Sequence, residues 1–175
     1  MKKSITLFTT ILVLITTSVF AQTTMKEFKV GHIFNISLPA YMSKTIGLNA
    51  AAGIQFKNEE KAVYGIVIED TKEDLLLAEA PYTSIDNFFK DFITDFVKGE
   101  EKRTESAPIT KKAGTTNFVE CDVSYYDKES NLEFYYFVGI VETPTSFYKV
   151  LCWTLLENKA AYKADFQKIL YSLKD

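Results

Sequence analysis

Residues 132–142 constrain the fold more than any other stretch, because they are apolar at both odd and even positions. Neighbouring side chains of a β-strand point to opposite faces of a sheet, so this stretch predicts a strand that is covered on both faces. The stretches 115–126 and 146–156 also have strand patterns, and short turns at 127–131 and 143–145 connect all three. Short turns join antiparallel strands. The sequence therefore predicts an antiparallel meander with helices on both sides.

The rest of the chain supplies further strands and three helices. Residues 28–38 predict an edge hairpin or one long strand, and apolar alternation predicts strands at 51–57 and 62–69. Helical patterns occur at three places: 72–79, 85–98 and 158–173. Two loops are expected, at 40–50 and at 100–113 with a short strand near Ile109. The predicted fold is α+β, with about six antiparallel strands flanked by helices in the order βββαβββα.

Capping residues stand at the ends of two predicted helices. We expect Asp70 or Thr71 to cap the helix at 72–79, because their side-chain oxygens can accept hydrogen bonds from the first turn. Ser84 is expected to cap the next helix in the same way, and Gly99 to end it.

The N-terminal segment has the pattern of a secretory signal peptide. Met1-Lys2-Lys3 is a positive start, residues 5–20 carry no charge, and Val19-Phe20-Ala21 fits a small-residue cleavage site. The apolar run of about sixteen residues is shorter than the roughly twenty that a spanning helix needs. No cysteine stands at the cleavage point, which argues against a lipid anchor. We expect a protein that is periplasmic or secreted, without stable membrane insertion after cleavage.

Cleavage would leave one acidic domain. We expect removal of residues 1–21, a polar tail at 22–27 and a single domain at 28–175. Loss of Lys2 and Lys3 with the signal peptide changes the formal net charge from −3 to −5. An acidic chain without a basic patch argues against nucleic acid and anionic membranes as partners.

The two cysteines, Cys121 and Cys152, lie in the outer strands of the predicted meander. Two strand spacings separate them by about 9–10 Å, at roughly 4.8 Å per strand. A disulfide needs Cα atoms within about 7 Å of each other. We therefore expect two buried free thiols.

Four segments of the mature chain form a wider pattern. They are a strand that ends in Leu-Pro, a hairpin, an aromatic helix and the C-terminal segment, at Phe34–Pro39, Ala51–Asp70, Ser84–Val97 and Phe166–Lys174. Together they resemble the PsbP-like fold family, which includes small exported bacterial proteins of the DcrB type. The resemblance implies an α-β-α sandwich around an antiparallel sheet. It also implies a binding or accessory role without catalysis, and it supplies no catalytic or cofactor-binding residue.

Few side chains have the type and spacing of a metal site. His32 is the single histidine and is expected at the surface, and zinc would need further Cys or His ligands. The densest group of acids ends a strand and opens a helix: Glu69, Asp70, Glu73 and Asp74. Carboxylates of this kind can bind calcium, but they also stabilise a helix N-terminus. The sequence leaves both interpretations open.

A second group of carboxylates lies on the meander. Glu120 and Asp122 project from one face of the strand at 115–126, and Glu133 is expected on the neighbouring strand. Paired carboxylates can act as general acid and base, but on an exposed strand they more often keep the surface soluble. We expect exposed, solubilising carboxylates, no enzyme activity and no cofactor.

Four tyrosines lie around the first turn of the meander: Tyr125, Tyr126, Tyr135 and Tyr136. The members that point inward are expected in the core. Tyr126 and Tyr135 are expected to stay partly exposed, where tyrosines often anchor a protein partner.

The leading functional hypothesis is a non-catalytic exported protein, a binding or accessory module of the cell envelope whose partner is another envelope or secreted protein. One alternative is a carrier of a small apolar ligand held between the sheet and a helix, which would need a sizeable apolar cavity. Another alternative is a protein that neutralises a secreted toxin.

Overall fold

The computed structural model describes residues 23–31 and 33–175. The expected signal peptide, Gln22 and His32 lie outside these residues. The described strands are β1 Met25–Val30, β2 Phe34–Pro39, β3 Ser43–Thr45, β4 Ile54–Asn58, β5 Val63–Thr71, β6 Glu101–Glu105, β7 Ile109–Ala113, β8 Thr116–Asp127, β9 Leu132–Glu142 and β10 Ser146–Leu155. The described helices are α1 Lys72–Leu77, α2 Ile85–Asp95 and α3 Lys159–Tyr171, with a 3-10 turn at Leu156–Asn158.

The main sheet is antiparallel throughout, and its centre is the predicted meander. The strand order is β3-β4-β5-β10-β9-β8, and the outer edge of β8 pairs with both β6 and β7. The strands β1 and β2 form a separate antiparallel hairpin. The predicted α+β class and antiparallel arrangement are confirmed, although the number of strands is larger than expected.

The additional strands lie at the edges. Strand β3 falls in the predicted loop 40–50, and β6 and β7 occupy the predicted loop 100–113. Strand β1 begins at Met25, inside the predicted polar tail 22–27. These segments carry mostly exposed side chains, so their sequences show no apolar alternation. Backbone hydrogen bonds to an adjacent strand hold them in the strand conformation.

Two helix starts are capped as expected. The Thr71 hydroxyl accepts a hydrogen bond from the Asp74 N–H at 3.0 Å, and the Ser84 hydroxyl accepts one from the Asn87 N–H at 3.3 Å. Each cap satisfies one of the backbone donors that a helix start leaves without an intrahelical partner. Among the described helices, none combines the length and apolarity that crossing a membrane requires.

The end of α2 differs from the prediction. The helix stops at Asp95 with Phe96 as its C-cap, so Gly99 is not the C-cap. The Arg103 guanidinium donates hydrogen bonds to the carbonyl oxygens of Ile93 and Phe96, at 3.0 and 3.1 Å. A cation is favourable at a helix C-terminus, so a residue on β6 completes the end of this helix.

Helices cover both faces of the main sheet. The hairpin β1–β2 and α3 pack on one side, which we call the α3 face, around the fully buried rings of Phe56, Phe137 and Phe166. The helices α1 and α2 lie on the other side, the α2 face, where Phe88 and Phe147 stack with ring centroids 4.5 Å apart. The chain is therefore an α-β-α sandwich with two separate cores.

A glycine sets the distance between α3 and the sheet. A Cβ on Gly139 of β9 would lie 2.5 Å from Cδ1 of Leu170, which is fully buried on α3. Only a residue without a side chain lets the helix lie this close to the strand.

The two cysteines are free thiols on opposite faces of the sheet. Cys121 pairs with Val138 and Cys152 with Phe137, so β9 lies between them. This confirms the expectation of two buried free thiols. Burial raises the pKa of Cys121 to about 12 and also raises the pKa of Cys152, so both thiols are neutral in the folded protein.

Candidate functional site

The two tyrosines expected to contact a partner have different environments. Tyr135 is fully buried on the α3 face, so the expectation that it is partly exposed is wrong. Its strand is covered there by α3, and its ring is stacked on Phe166 at 6.3 Å. Tyr126 is half-buried, lies under the Lys102 ammonium at 4.7 Å from the ring centroid, and donates a hydrogen bond to Asn131. This geometry does not test the sequence-based prediction of a partner contact at Tyr126; crosslinking at Tyr126 tests it against a contact on the α2 face.

The carboxylate of Glu120 is buried, with 2% of the residue exposed. It accepts hydrogen bonds from Gln167 Nε2 at 2.6 Å and from the Tyr171 hydroxyl at 2.5 Å, both on α3. The expectation of an exposed, solubilising side chain is therefore wrong, because α3 covers this part of β8. Glu120 joins the helix to the sheet.

Asp122 has a similar environment further along β8. Its carboxylate accepts hydrogen bonds from the Tyr135 hydroxyl at 2.8 Å and from Lys163 at 2.7 Å, and it pairs with Lys159 at 2.9 Å. Burial alone would raise the pKa of Asp122, but the hydrogen bonds from Lys163, Lys159 and Tyr135 outweigh it and lower this pKa. Asp122 is thus a fixed anion under α3.

The third carboxylate of this predicted group lies elsewhere. Glu133 pairs across the sheet with Tyr126, is exposed, and forms an ion pair with Lys102 at 3.4 Å. Glu120 and Asp122 instead face Gly139 and Phe137 on β9. The three carboxylates therefore do not converge on one point, and Glu120 and Asp122 are already engaged by donors of the same chain.

The four acids around the start of α1 are divided between the two faces. Glu69 lies on the α3 face and accepts hydrogen bonds from Ser146 at 2.7 Å and Tyr148 at 3.1 Å. Asp70 lies on the α2 face and pairs with Lys149 at 2.7 Å. Over residues 23–31 and 33–175, no three His, Cys, Asp or Glu side chains meet in an arrangement that could hold a metal ion.

Beyond the C-terminal end of α2, five aromatic side chains form a row across four strands. The row, which we call the aromatic strip, consists of Tyr64, Trp153, Tyr136, Tyr125 and Phe134. Strand register explains the row, because Trp153 lies opposite both Tyr64 and Tyr136, and Tyr125 lies opposite Phe134. All five side chains are half-buried, so water reaches each of them.

The rings of the aromatic strip are close and nearly parallel. Ring centroids are 5.6 Å apart for Tyr64 and Trp153, 5.4 Å for Trp153 and Tyr136, and 6.0 Å for Tyr136 and Tyr125. The corresponding planes differ by only 16°, 17° and 24°. Such pairs are favourable in an offset-stacked arrangement. The stacking restricts the orientation of each ring.

Helix α2 ends against this strip. The ring of Phe96, the C-cap residue, meets Tyr136 edge-on at 5.2 Å. Tyr64, Tyr125 and Phe134 lie further out, and Leu132, two residues before Phe134 on β9, is 42% exposed. The strip thus extends the apolar core of the α2 face to the protein surface.

One end of the aromatic strip borders an acidic cleft. The cleft has a volume of about 540 Å³ and is lined by Gly99, Tyr125, Lys128 and four acidic residues, Glu100, Glu101, Asp127 and Glu129. Burial raises the pKa of Tyr125, and the nearby Glu100 and Asp127 carboxylates raise it further. The strip is therefore aromatic along its length and negatively charged at one end.

Comparison with known proteins identifies the fold. No family model and no curated protein matches the chain. Among solved structures, cyanobacterial PsbP (CyanoP) from Synechocystis sp. PCC 6803 matches with a TM-score of 0.60 and 13% identity, over 89% of this chain and 95% of that one. LpqN of Mycobacterium tuberculosis, described as involved in cell envelope biogenesis, matches with a TM-score of 0.58 and 10% identity, over 87% and 91%.

This chain has the PsbP-like fold. A third match is PA94 from Pseudomonas aeruginosa, described as a protein of unknown function and putative regulator, with a TM-score of 0.52 and 8% identity over 86% of this chain and 96% of that one. The predicted resemblance is thus confirmed at the level of the fold. At such low identity the PsbP-like fold assigns no activity, so the function must be argued from the surface of this protein.

The aromatic strip was not predicted from the sequence. Its members occupy alternate positions in strands that are apolar on both faces, and such positions usually belong to a buried core. The part of the α2 face that stays uncovered depends on where α2 ends. Arg103, on the strand that follows α2, donates hydrogen bonds to that end, a contact that no local pattern indicates.

Proposed function

We propose that this PsbP-like protein is a non-catalytic binding module that works outside the cytoplasm and docks another envelope or secreted protein through the aromatic strip. The observation that carries the proposal is the row of five half-exposed rings on the α2 face. Tyrosine and tryptophan are enriched at protein interfaces and dominate their binding energy. The stacked rings are also held in place before binding, which reduces the entropy lost when a partner docks.

The absence of catalysis is part of the proposal. The best-placed carboxylates, Glu120 and Asp122, each accept hydrogen bonds from donors on α3 or β9. A general acid or base needs a substrate within hydrogen-bond reach, and here the helix occupies that position. The likeness to LpqN, described as involved in cell envelope biogenesis, supports a role in the envelope. The predicted signal peptide supports export.

The packing of the α3 face favours this proposal over a carrier of a small apolar ligand. Such a carrier needs an apolar cavity of roughly 300 Å³ or more. The fully buried rings of Tyr135, Phe137 and Phe166 occupy the space between the sheet and α3. The Phe166 ring stacks on Tyr135 and lies tilted against Phe137, each with centroids 6.3 Å apart. A ligand there would have to displace the core of the protein.

Site-directed photo-crosslinking in the cells that make the protein tests the proposal. A photo-reactive phenylalanine derivative replaces Tyr64 in the full-length chain, and the same group at Tyr126, on the α3 face, serves as the matched control. We expect a discrete protein adduct from position 64 and none from position 126. With the purified partner, Tyr64→Ala should weaken binding about tenfold or more, the loss of one aromatic anchor, whereas Tyr126→Ala should not.

Two results would contradict the proposal. An adduct from position 126 alone would move the docking surface to the α3 face, where Tyr126 was expected to contact a partner. Turnover of a substrate that is lost in Glu120→Gln or Asp122→Asn would show that the protein is an enzyme.

A further inference from the structure

We propose that the docked partner is a basic protein segment, and that one of its lysine or arginine side chains enters the acidic cleft at the Tyr125 end of the aromatic strip. This inference rests on the proposed function and names the chemistry of the partner. It follows from where the cleft lies, from which charges in it are already paired, and from the tyrosine that lines it.

The cleft lies at the end of the stack of rings. In the sheet, β8 lies between β9 and β6, so Tyr125 on β8 has Tyr136 on one side and the start of β6 on the other. Tyr125 stacks on the β9 rings of Tyr136 and Phe134. It also lines the cleft together with Glu100 and Glu101, which lie just before and at the start of β6.

Most of the negative charge of the cleft is not balanced by the protein itself. Lys128 pairs with Glu101 at 2.8 Å. Over the described residues, Glu100, Asp127 and Glu129 form no ion pair. Asp127 accepts hydrogen bonds from Ser130 and from the Glu129 N–H, which lower its pKa and keep it ionised at neutral pH. Charge complementarity with a partner therefore requires a cation.

The neighbouring basic residues are committed elsewhere. Arg103 caps the end of α2 and pairs with Glu105 at 2.9 Å. Lys102 lies over Tyr126, on the α3 face. An incoming cation would thus meet a tyrosine and three carboxylates that form no ion pair among the described residues, a combination that favours both cation–π contact and ion pairing.

The opposite end of the strip carries no such charge. Lys57, which lies opposite Tyr64 on β4, pairs with Glu59. The strip is therefore acidic at the Tyr125 end and balanced at the Tyr64 end, so a bound segment with a single basic end would lie in one direction. The expected mature net charge of −5 would also attract a basic partner over a longer range.

The single tryptophan of the chain, Trp153, lies inside the strip and reports its occupancy by fluorescence. Three short peptides are titrated into the mature protein at low salt. They share two phenylalanines and differ only in carrying arginine, serine or glutamate at the remaining positions. We expect the arginine peptide to change the Trp153 emission saturably and to bind about tenfold or more tighter than the other two.

A pair of charge-matched variants separates the cleft from the general charge of the protein. Glu100→Gln with Asp127→Asn should reduce binding of the arginine peptide to that of the serine peptide. The control pair, Glu73→Gln with Asp86→Asn, removes the same charge at exposed positions outside the cleft and should leave binding unchanged. An equal loss in both pairs would overturn the inference, as would an arginine peptide without effect on Trp153 up to about 1 mM.

Other ligands of the aromatic strip would give distinct results, each of which overturns the inference that the partner is a basic segment. Saturable quenching by an N-acetylglucosamine oligomer, with none by the arginine peptide, would make the strip a glycan-binding surface. A Trp153 emission that depends on protein concentration, with a doubled native mass, would indicate a second copy of the chain. If all three peptides bind equally and Tyr64→Ala abolishes binding, the inference of a basic segment is wrong. The proposed docking function of the strip would still stand.

Discussion

The α3 face of the sheet buries carboxylates, whereas the α2 face leaves aromatic rings half exposed. Glu120 is 2% exposed and Asp122 is held by donors from α3, while Trp153 and Tyr64 on the opposite side remain in contact with water. Residue type alone would predict exposed carboxylates and buried aromatic rings. The comparison teaches that coverage by a helix, and not polarity, separates the groups that hold this fold together from those available to a partner.

Helix α3 makes the burial of the carboxylates favourable. Its residues Lys159, Lys163, Gln167 and Tyr171 lie four positions apart, so they form one stripe along the helix. The first two reach Asp122 and the last two reach Glu120. Buried polar groups are tolerated when they are hydrogen-bonded, and here the donor stripe supplies the partners. On the α2 face, α2 ends before it reaches Tyr64 and Trp153.

The largest expected effect contrasts two aromatic residues on the two faces. Phe166→Ala should lower the free energy of unfolding by about 3–5 kcal/mol, because it leaves a cavity among fully buried rings. Tyr64→Ala should lower it by only about 1 kcal/mol, since it removes cross-strand contacts of a half-exposed ring. Urea unfolding followed by circular dichroism measures both values.

The contrast fails if the two substitutions destabilise the protein equally. Tyr64 would then be a core residue, and its loss in binding experiments would report unfolding instead of a lost contact. Tyr64→Phe keeps the ring and should restore stability in either case.

A smaller effect is expected from a carboxylate on each face. Glu120→Ala should lower the free energy of unfolding by about 1–3 kcal/mol, because the Tyr171 hydroxyl loses its partner inside the protein. Glu100→Ala, in the exposed cleft, should leave stability unchanged and weaken partner binding. A double-mutant cycle with Tyr171→Phe checks the cause, since the second substitution should cost little once Glu120 is gone. Fully additive effects would show that the two side chains are not coupled.

Much of the fold could be predicted from the sequence, because the long central strands are defined by local patterns. The apolar alternation of β8–β10 and the capping residues Thr71 and Ser84 gave elements close to those observed. The edge strands β6 and β7 could not be predicted, since backbone pairing with β8 holds them and their side chains face water.

The candidate site was less predictable than the fold. One sequence signal was available for the coverage of Glu120 and Asp122 by α3. It is the polar stripe at every fourth residue from Lys159 to Tyr171 in the predicted C-terminal helix. The position of the aromatic strip had none, because it depends on where α2 stops relative to the strands beneath it. Tertiary contacts set that end, and sequence periodicity does not report them.

The smallest expected effect is a pH dependence that belongs to the α3 face. Hydrogen bonds from α3 and β9 lower the pKa of Asp122 below its unfolded value of about 3.9. A carboxylate with a lowered pKa adds stability that is present above the unfolded value and lost as the pH falls through the folded one. Asp122→Asn should therefore flatten the loss of stability below about pH 4, by on the order of 1 kcal/mol, in urea unfolding at a series of pH values.

Asp86→Asn, at an exposed position on α2, is the control and should leave the loss of stability below about pH 4 unchanged. If Asp122→Asn leaves the loss of stability at low pH unchanged, Lys159 and Lys163 do not form their ion pairs with Asp122 when the protein is in solution. The α3 face would then be kept closed by apolar packing and by the hydrogen bonds of Glu120 with Gln167 and Tyr171. A smaller loss of stability at low pH in Asp122→Asn instead shows that charge under α3 contributes to closing that face.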